Sequence, residues 1–149
     1  SLKSRGGYKV RLVSYEEFKQ MDEYQKFIRE NPSVGHLKVE AFTAYKAIPI
    51  ENVEILITKD FNDFKVVFFD GYTDSSGVIS NIELPAPISE ANSKTYNIPK
   101  YTLYDLTAIH VGYESIKKYD IGMFGEVNIL QYVKMIPQFN IDEVDSNGD

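Results

Sequence analysis

The chain has 149 residues, 43% of them hydrophobic and 13% aromatic, with 11 tyrosines, 9 phenylalanines and a formal net charge of -6. This length is enough to bury the hydrophobic core of one domain, and the apolar content excludes wholesale disorder. The acidic balance argues against the clustered basic face of a nucleic-acid-binding protein. Because the chain has no cysteine, disulfides and thiolate sites are also excluded.

The N-terminal part of the sequence predicts a leader followed by helix. Residues 1–13 begin with SLKSRGG and are predicted to form a flexible leader, although the YKVRLV run within them also fits a short strand. Ser14 and Glu17 have the spacing of a capping box, which marks the start of a helix. The apolar residues that follow recur every third position, and such a stripe drifts around a straight helix. We therefore expect residues 14–32 to form two short helical pieces, or one helix broken near Met21.

From His36 the hydrophobic period changes from a helical spacing to two, which is typical of β-strands. Short strand-like runs then continue to Pro137, separated by turn signals such as DSSG at 74–77. The run YTLYDLTAIHVGY at 101–113 is rich in β-branched and aromatic residues and is predicted to be a central strand. This pattern predicts an antiparallel β-sandwich over residues 35–138.

The predicted central strand carries apolar side chains on both of its faces. A strand with one solvated face alternates more cleanly, so we expect another element to cover its second face. Ile109 and Val111 lie on that outward face. The helical segment 14–32 is the expected cover, which would make it part of the same domain by packing on the sandwich.

Two segments have neither a helical nor a strand pattern. Residues 88–100 (ISEANSKTYNIPK) are predicted to be a polar loop, and loops of this length are usually functional or mobile. Because loops on a rigid sandwich usually carry recognition, we expect this loop to form the main contact surface. Residues 139–149 are acidic and are predicted to form a disordered tail.

Five short motifs follow one another along the chain: PIENVEI at 49–55, TDSSG at 73–77, IELPAP at 82–87, YTLYDLT…VGY at 101–113 and QYVKMIP at 131–137. In this order they resemble the carboxypeptidase regulatory-like domain, a transthyretin-like (prealbumin-like) sandwich. The most similar variety is the N-terminal module of bacterial spore cortex-lytic and peptidoglycan-binding proteins. The resemblance implies a mainly β fold, an antiparallel seven-stranded sandwich, here with a short N-terminal helical segment.

The resemblance also implies a function. The family has no catalytic residues of its own and accompanies an enzymatic or cell-wall-binding domain, so we predict that the chain is not an enzyme. We expect an accessory or binding module of a bacterial cell-envelope, spore or phage-related protein, located at the envelope or spore rather than in the cytoplasm. Its loops would contact a protein or cell-wall partner. The alternatives are a carbohydrate (peptidoglycan)-binding module and a self-assembling surface or pilin-like domain, which would form a homo-oligomer.

Three residues are the candidates for binding. A tyrosine ring offers a flat face and a hydroxyl to a sugar, and Tyr96 in the loop and Tyr101 beside it are best placed for this role. His110 faces inward by alternation from Tyr104. It is either a strand-end histidine satisfied by a backbone or tyrosine partner, or a ligand-binding or pH-sensitive group.

Other site chemistries find little support in the sequence. Two histidines without cysteine make a zinc site improbable, and we expect neither a metal nor a cofactor. A hydrolase built on His110 and Asp105 is disfavoured, because the two residues face opposite sides of their strand and no G-x-S-x-G turn is present. No apolar run approaches the roughly 20 residues of a membrane-spanning helix, so membrane insertion is not expected.

Overall fold

The computed structural model describes residues 2–5, 8–88 and 100–139. Over these residues the chain is mainly β and forms two packed sheets. The strands are β1 (Leu2–Arg5), β2 (Tyr8–Ser14), β3 (Ser33–Thr43), β4 (Glu54–Asp60), β5 (Phe64–Tyr72), β6 (Val78–Ala86), β7 (Thr102–Ile109), β8 (Ile116–Met123) and β9 (Asn128–Met135); the helices are α1 (Tyr15–Phe18) and α2 (Asp22–Glu30). Most of the predicted contact loop and most of the predicted tail lie outside the described residues.

The two sheets differ in width and enclose the core between them. One has six strands in the order β1-β2-β5-β4-β7-β8, and the other has three in the order β6-β3-β9. Alternate residues of β7, namely Tyr104, Leu106 and Ala108, are buried between the sheets. The Tyr104 hydroxyl donates a hydrogen bond to the Pro85 carbonyl of β6 at 2.6 Å, which joins the two layers. The fold is therefore a β-sandwich.

The prediction of an antiparallel seven-stranded sandwich is only partly right. Seven strands, β3 to β9, lie between residues 33 and 135, but two more strands precede them in the described part of the chain. Both sheets are mixed, because β2 pairs in parallel with β5 and β3 pairs in parallel with β9. Parallel partners need a long connection, and the alternation that predicts a strand carries no information about its partner or direction.

The segment predicted to be a flexible leader contributes to the larger sheet instead. Its last residues form β2, which pairs with β5 from Arg11 opposite Phe64 to Ser14 opposite Val67. The YKVRLV run alternates polar and apolar residues and so has the pattern that an added strand needs. Long-range pairing with β5, rather than local preference, decides between the two readings of this run.

The helical segment begins and breaks where its spacing indicates. The Ser14 hydroxyl accepts a hydrogen bond from the Glu17 amide at 3.0 Å, so the capping interaction is present. Helix α1 ends at Phe18, and Met21 precedes the start of α2. Each helix therefore directs its own aromatic side chain inward: Phe18 from α1 and Phe27 from α2 are both buried.

The helices do not cover the face that we predicted. Ile109 is 38% exposed and Val111 is 93% exposed. The six-stranded sheet is wider than the three-stranded one, so part of its inner face beside β2 and β5 is left for the helices, and α1 contacts these two strands. The outer face of the larger sheet remains an open groove of about 320 Å³, with Leu56 and Ile109 in its lining.

Tyr15 holds α1 against the larger sheet and makes this packing sensitive to high pH. Its ring lies 4.8 Å from the ring of Phe68 and 6.5 Å from that of Tyr24. Burial, followed by the neighbouring Tyr24, raises the pKa of Tyr15 from 10.0 to about 12. Since the folded state holds this proton more tightly, its contribution to stability is complete below the unfolded pKa and is lost as the pH rises through the folded pKa.

We therefore expect the free energy of unfolding to fall between pH 10 and 12, the interval that the raised pKa of Tyr15 defines. Urea denaturation at a series of pH values measures this slope. In Tyr15→Phe the slope should be shallower, because the phenol has been removed. The control Tyr119→Phe removes an exposed hydroxyl and should keep the wild-type slope. Equal slopes in the wild type and Tyr15→Phe would contradict the assignment.

Candidate functional site

A cleft of about 940 Å³ opens between α2, the turn that joins β4 to β5, and the two ends of the 88–100 segment. We call it the α2 cleft. Helix α2 provides one wall, Phe61 to Phe64 provide another, and Ile88 and Tyr101 lie where the predicted loop leaves and re-enters the sandwich. The cleft therefore lies at the base of the segment that the sequence marks as a contact surface.

Asn31 fixes the distance between two walls of the α2 cleft. It follows α2 immediately and is buried, although it is polar. Its side-chain amide donates to the Phe27 carbonyl at 2.9 Å, and its Oδ1 accepts a hydrogen bond from the Thr102 hydroxyl. These bonds connect the end of the helix to the start of β7. Because leaving a buried amide without partners would cost the protein stability, these bonds favour the observed spacing between α2 and β7.

The α2 cleft is more cationic than the protein as a whole. Among the described residues, four cationic side chains and three carboxylates line it, so its net charge is +1, whereas the chain carries -6. The cations are Lys26, Arg29, Lys59 and Lys100, and the carboxylates are Glu23, Glu30 and Asp63. A positive site in an acidic protein concentrates anionic groups of a ligand locally.

Lys59 is the most constrained of these cations. Pairing between β4 and β7 ends at Thr58 opposite Asp105, and beyond it the Lys59 ammonium donates to the Leu103 carbonyl at 2.9 Å. Its ammonium also lies 5.7 Å from the centroid of the Tyr104 ring. Burial lowers the pKa of Lys59, and attraction from nearby aspartates opposes this effect. The ammonium is thus held at a fixed point in the cleft wall.

Of the predicted binding residues, Tyr101 lies in the α2 cleft. Its side chain is 54% exposed, and its ring centroid is 5.8 Å from that of Phe124. Gly122 lies behind the ring, where a Cβ would come within 3.5 Å of it. The ring therefore has a supported position and an accessible surface. Tyr96 falls outside the described residues.

His110 lies away from the α2 cleft, beyond the opposite end of β7 from Tyr101. Its Nδ1 is 2.7 Å from the Val111 carbonyl oxygen, and its Nε2 is 3.1 Å from that of Glu51. The ring also meets Tyr113 edge to face at 5.4 Å. A neutral imidazole carries one N–H and donates to one of these carbonyls at a time. One ring nitrogen can therefore bond a backbone carbonyl, which is the first of the two readings in the sequence analysis; whether His110 binds a ligand stays a prediction.

The structure does not bring Asp105 and His110 into contact, as the hydrolase considered in the sequence analysis would require. Asp105 accepts a hydrogen bond from the Asp120 amide at 3.0 Å, and His110 contacts backbone carbonyls instead. Within residues 2–5, 8–88 and 100–139, no three histidine or acidic side chains are grouped closely enough to hold a metal ion. No helix in the described part of the chain is long and apolar enough to cross a membrane.

Lys59 was absent from the residues predicted from the sequence, although a signal for it exists. Ile55 and Ile57 occupy alternate positions of β4 and are fully buried. The same parity places Lys59 on the inward side, where a charged residue is unusual. An inward-facing lysine at a strand end is therefore the pattern that identifies it.

No family model and no curated protein sequence matches the chain. Among solved structures, the Bacillus anthracis TIE protein is similar, with 19% identity and a TM-score of 0.43 over 70% of this chain and 17% of that chain. The 3-chlorocatechol 1,2-dioxygenase from Rhodococcus opacus 1CP is also similar, with 10% identity and a TM-score of 0.45 over 71% of this chain and 61% of that chain. The chain thus spans less than two thirds of either protein's length.

The comparison with the dioxygenase corrects one prediction. We predicted that the chain is not an enzyme; one of the similar solved structures is a dioxygenase, and the prediction is not upheld. The similarity assigns no activity to this chain either, because 10% identity at a TM-score of 0.45 is too distant to transfer chemistry. The structure shows a mainly β, sandwich-like protein with two mixed sheets.

Proposed function

We propose that the chain is a binding module that holds a cell-wall glycopeptide in the α2 cleft. The observation that carries this proposal is the combination, in one cleft, of the exposed ring of Tyr101 with four cationic side chains. Sugar rings pack on aromatic faces, and the carboxylates of short peptides pair with lysine and arginine. Peptidoglycan presents both groups within one repeating unit.

The size and shape of the α2 cleft support an extended ligand. Its volume of about 940 Å³ is at the upper end of the range for small-molecule sites. The apolar side chains Phe61 and Ile88 provide contact surface beside the charged groups. Such a mixed lining suits a ligand that has both rings and charged groups better than it suits a purely apolar ligand.

We also infer that β3 to β9 form a transthyretin-like unit of the kind that the sequence motifs resemble. In support, these seven strands divide into four in the larger sheet and three in the smaller, once β1 and β2 are treated as additions. The proposed setting at a bacterial envelope or spore rests on that resemblance. A cell-wall ligand is consistent with such a setting.

Co-sedimentation with insoluble, purified peptidoglycan tests the proposal. We expect the wild-type chain to pellet with the polymer and Tyr101→Ala to bind about two- to tenfold more weakly, the range for the loss of one aromatic contact. Tyr45→Ala is the matched control, because Tyr45 is also an exposed tyrosine but lies outside the cleft.

Three outcomes would contradict the proposal. A wild-type chain that stays in the supernatant would show that the polymer is not its ligand. Equal losses in the Tyr101 and Tyr45 variants would show that the α2 cleft is not the binding surface. Retention that disappears after the polymer has been treated with a protease would indicate a protein partner attached to the wall, and would also reject the glycopeptide.

A further inference from the structure

We propose that Lys59 is the anion-binding residue of the α2 cleft and that it pairs with a carboxylate or phosphate group of the ligand. This inference rests on the proposed function and deepens it, because it names the charged group that the cleft recognises. Carboxylate and phosphate oxygens share the geometry that a lysine ammonium accepts, so both chemistries are included.

The position of Lys59 is set by the sheet and not by a flexible surface. The side chain leaves the inward side of β4, and its Nζ donates to the Leu103 carbonyl at 2.9 Å. The Tyr104 ring lies 5.7 Å from the same nitrogen. A lysine ammonium has three N–H donors, and one of them is used in the described structure, so donors remain for a ligand. The cation is therefore pre-organised in the cleft wall.

Charge balance is the second argument for this site. No carboxylate of the described residues forms an ion pair with Lys59; the ion pairs of that region join other residues, such as Lys65 and Asp60. Asp105, Asp60 and Asp120 attract the Lys59 ammonium and partly offset the effect of its burial. The Leu103 carbonyl replaces part of the hydration that the half-buried ammonium has lost, but a carbonyl does not neutralise its charge. A ligand anion in the α2 cleft would supply that partner.

Neighbouring cations strengthen the site without being essential to its geometry. Lys26 and Arg29 face the same cleft from α2, so an anion bound at Lys59 is also attracted from the opposite wall. The alternative role for Lys59 is structural, as a prop for the Leu103 carbonyl alone. The two roles differ in what a charge-preserving substitution does, because arginine keeps the attraction for an anion whereas methionine removes it.

Calorimetric titration of the full chain with two probes tests the inference. Muramyl dipeptide supplies a carboxylate, and inorganic pyrophosphate supplies phosphate. We expect Lys59→Met to weaken binding of the recognised probe about tenfold or more, and Lys59→Arg to restore most of it. Lys117→Met is the control, because it removes the same charge from an exposed residue that lines the outer groove instead. Circular dichroism verifies that each variant is folded.

The results separate this inference from the proposed function. Binding of both probes with wild-type affinity by a folded Lys59→Met, or equal losses in the Lys59 and Lys117 variants, would overturn the anion site. The proposed function would survive that result, because binding of the chain to peptidoglycan is tested separately with Tyr101→Ala. If pyrophosphate binding depended on Lys59 but the chain did not pellet with peptidoglycan, the anion site would be supported and the proposed function would be rejected. Whichever probe loses affinity in Lys59→Met identifies the source of the anion.

Discussion

Replacing Phe18 with alanine is expected to lower the free energy of unfolding by about 3–5 kcal/mol, the range for truncating a buried aromatic ring. Phe18 is fully buried, at 0% exposure. Its ring centroid lies 4.9 Å from that of Phe61, 5.5 Å from that of Phe27 and 6.0 Å from that of Phe68. The ring thus joins both helices to the larger sheet, and its removal leaves a cavity where these elements meet.

Urea denaturation of Phe18→Ala, followed by circular dichroism, measures this loss. The matched control is Phe139→Ala, which makes the same substitution at a side chain that is 74% exposed. We expect the control to change the free energy of unfolding by less than about 0.5 kcal/mol, as for ordinary surface sites. If the Phe18 variant changed stability by no more than the control, the helices would not be docked through this ring.

Gly77→Ala has the second largest expected effect, a loss of about 3 kcal/mol. Gly77 has a φ of +76°, and a Cβ there would lie 2.5 Å from the Ala41 carbonyl oxygen. The left-handed backbone costs an alanine about 1–2 kcal/mol, and the forced contact adds about 1–3 kcal/mol, because β3 must move away from the turn.

The chain contains a control that separates these two contributions. Gly112 also has a positive φ, of +86°, but, apart from its chain neighbours, no heavy atom of the described residues lies within 4 Å of the position that its Cβ would take. Gly112→Ala is therefore expected to lose only the backbone part, about 1–2 kcal/mol. Thermal unfolding of the two variants measures the difference. Equal losses would contradict the contact between the 74–77 turn and β3.

The local structure follows from residues that are close in sequence. The Asp74 carboxylate accepts hydrogen bonds from the Ser76 amide at 2.9 Å and the Val78 amide at 3.0 Å, as the DSSG turn predicts. The capping interaction of Ser14 follows in the same way from its own helix. Interactions of this kind span a few positions, so a single sequence is enough to identify them.

The candidate site is only partly accessible to such reasoning. Tyr101 was predicted as a binding residue because it lies beside a long loop, and it does line the α2 cleft. Lys59 and Arg29 are separated by 30 positions of sequence and meet in one cleft because α2 packs beside the β4–β5 turn. Neither residue has a local pattern that indicates the other. The cleft therefore comes from packing, and no motif encodes it.

The sequence by itself determined where helix gives way to strand, where the helical segment breaks and which turns need glycine, because these depend on neighbouring residues. The tertiary structure alone decided that β2 joins β5 in parallel, that β3 joins β9 in parallel and that the helices cover the inner rather than the outer face. Those outcomes depend on contacts between distant residues, such as Phe18 with Phe68 and Asn31 with Thr102. Burial of the aromatic rings against β5 favours the observed position of the helices. That position places α2 beside the β4–β5 turn and so forms the α2 cleft.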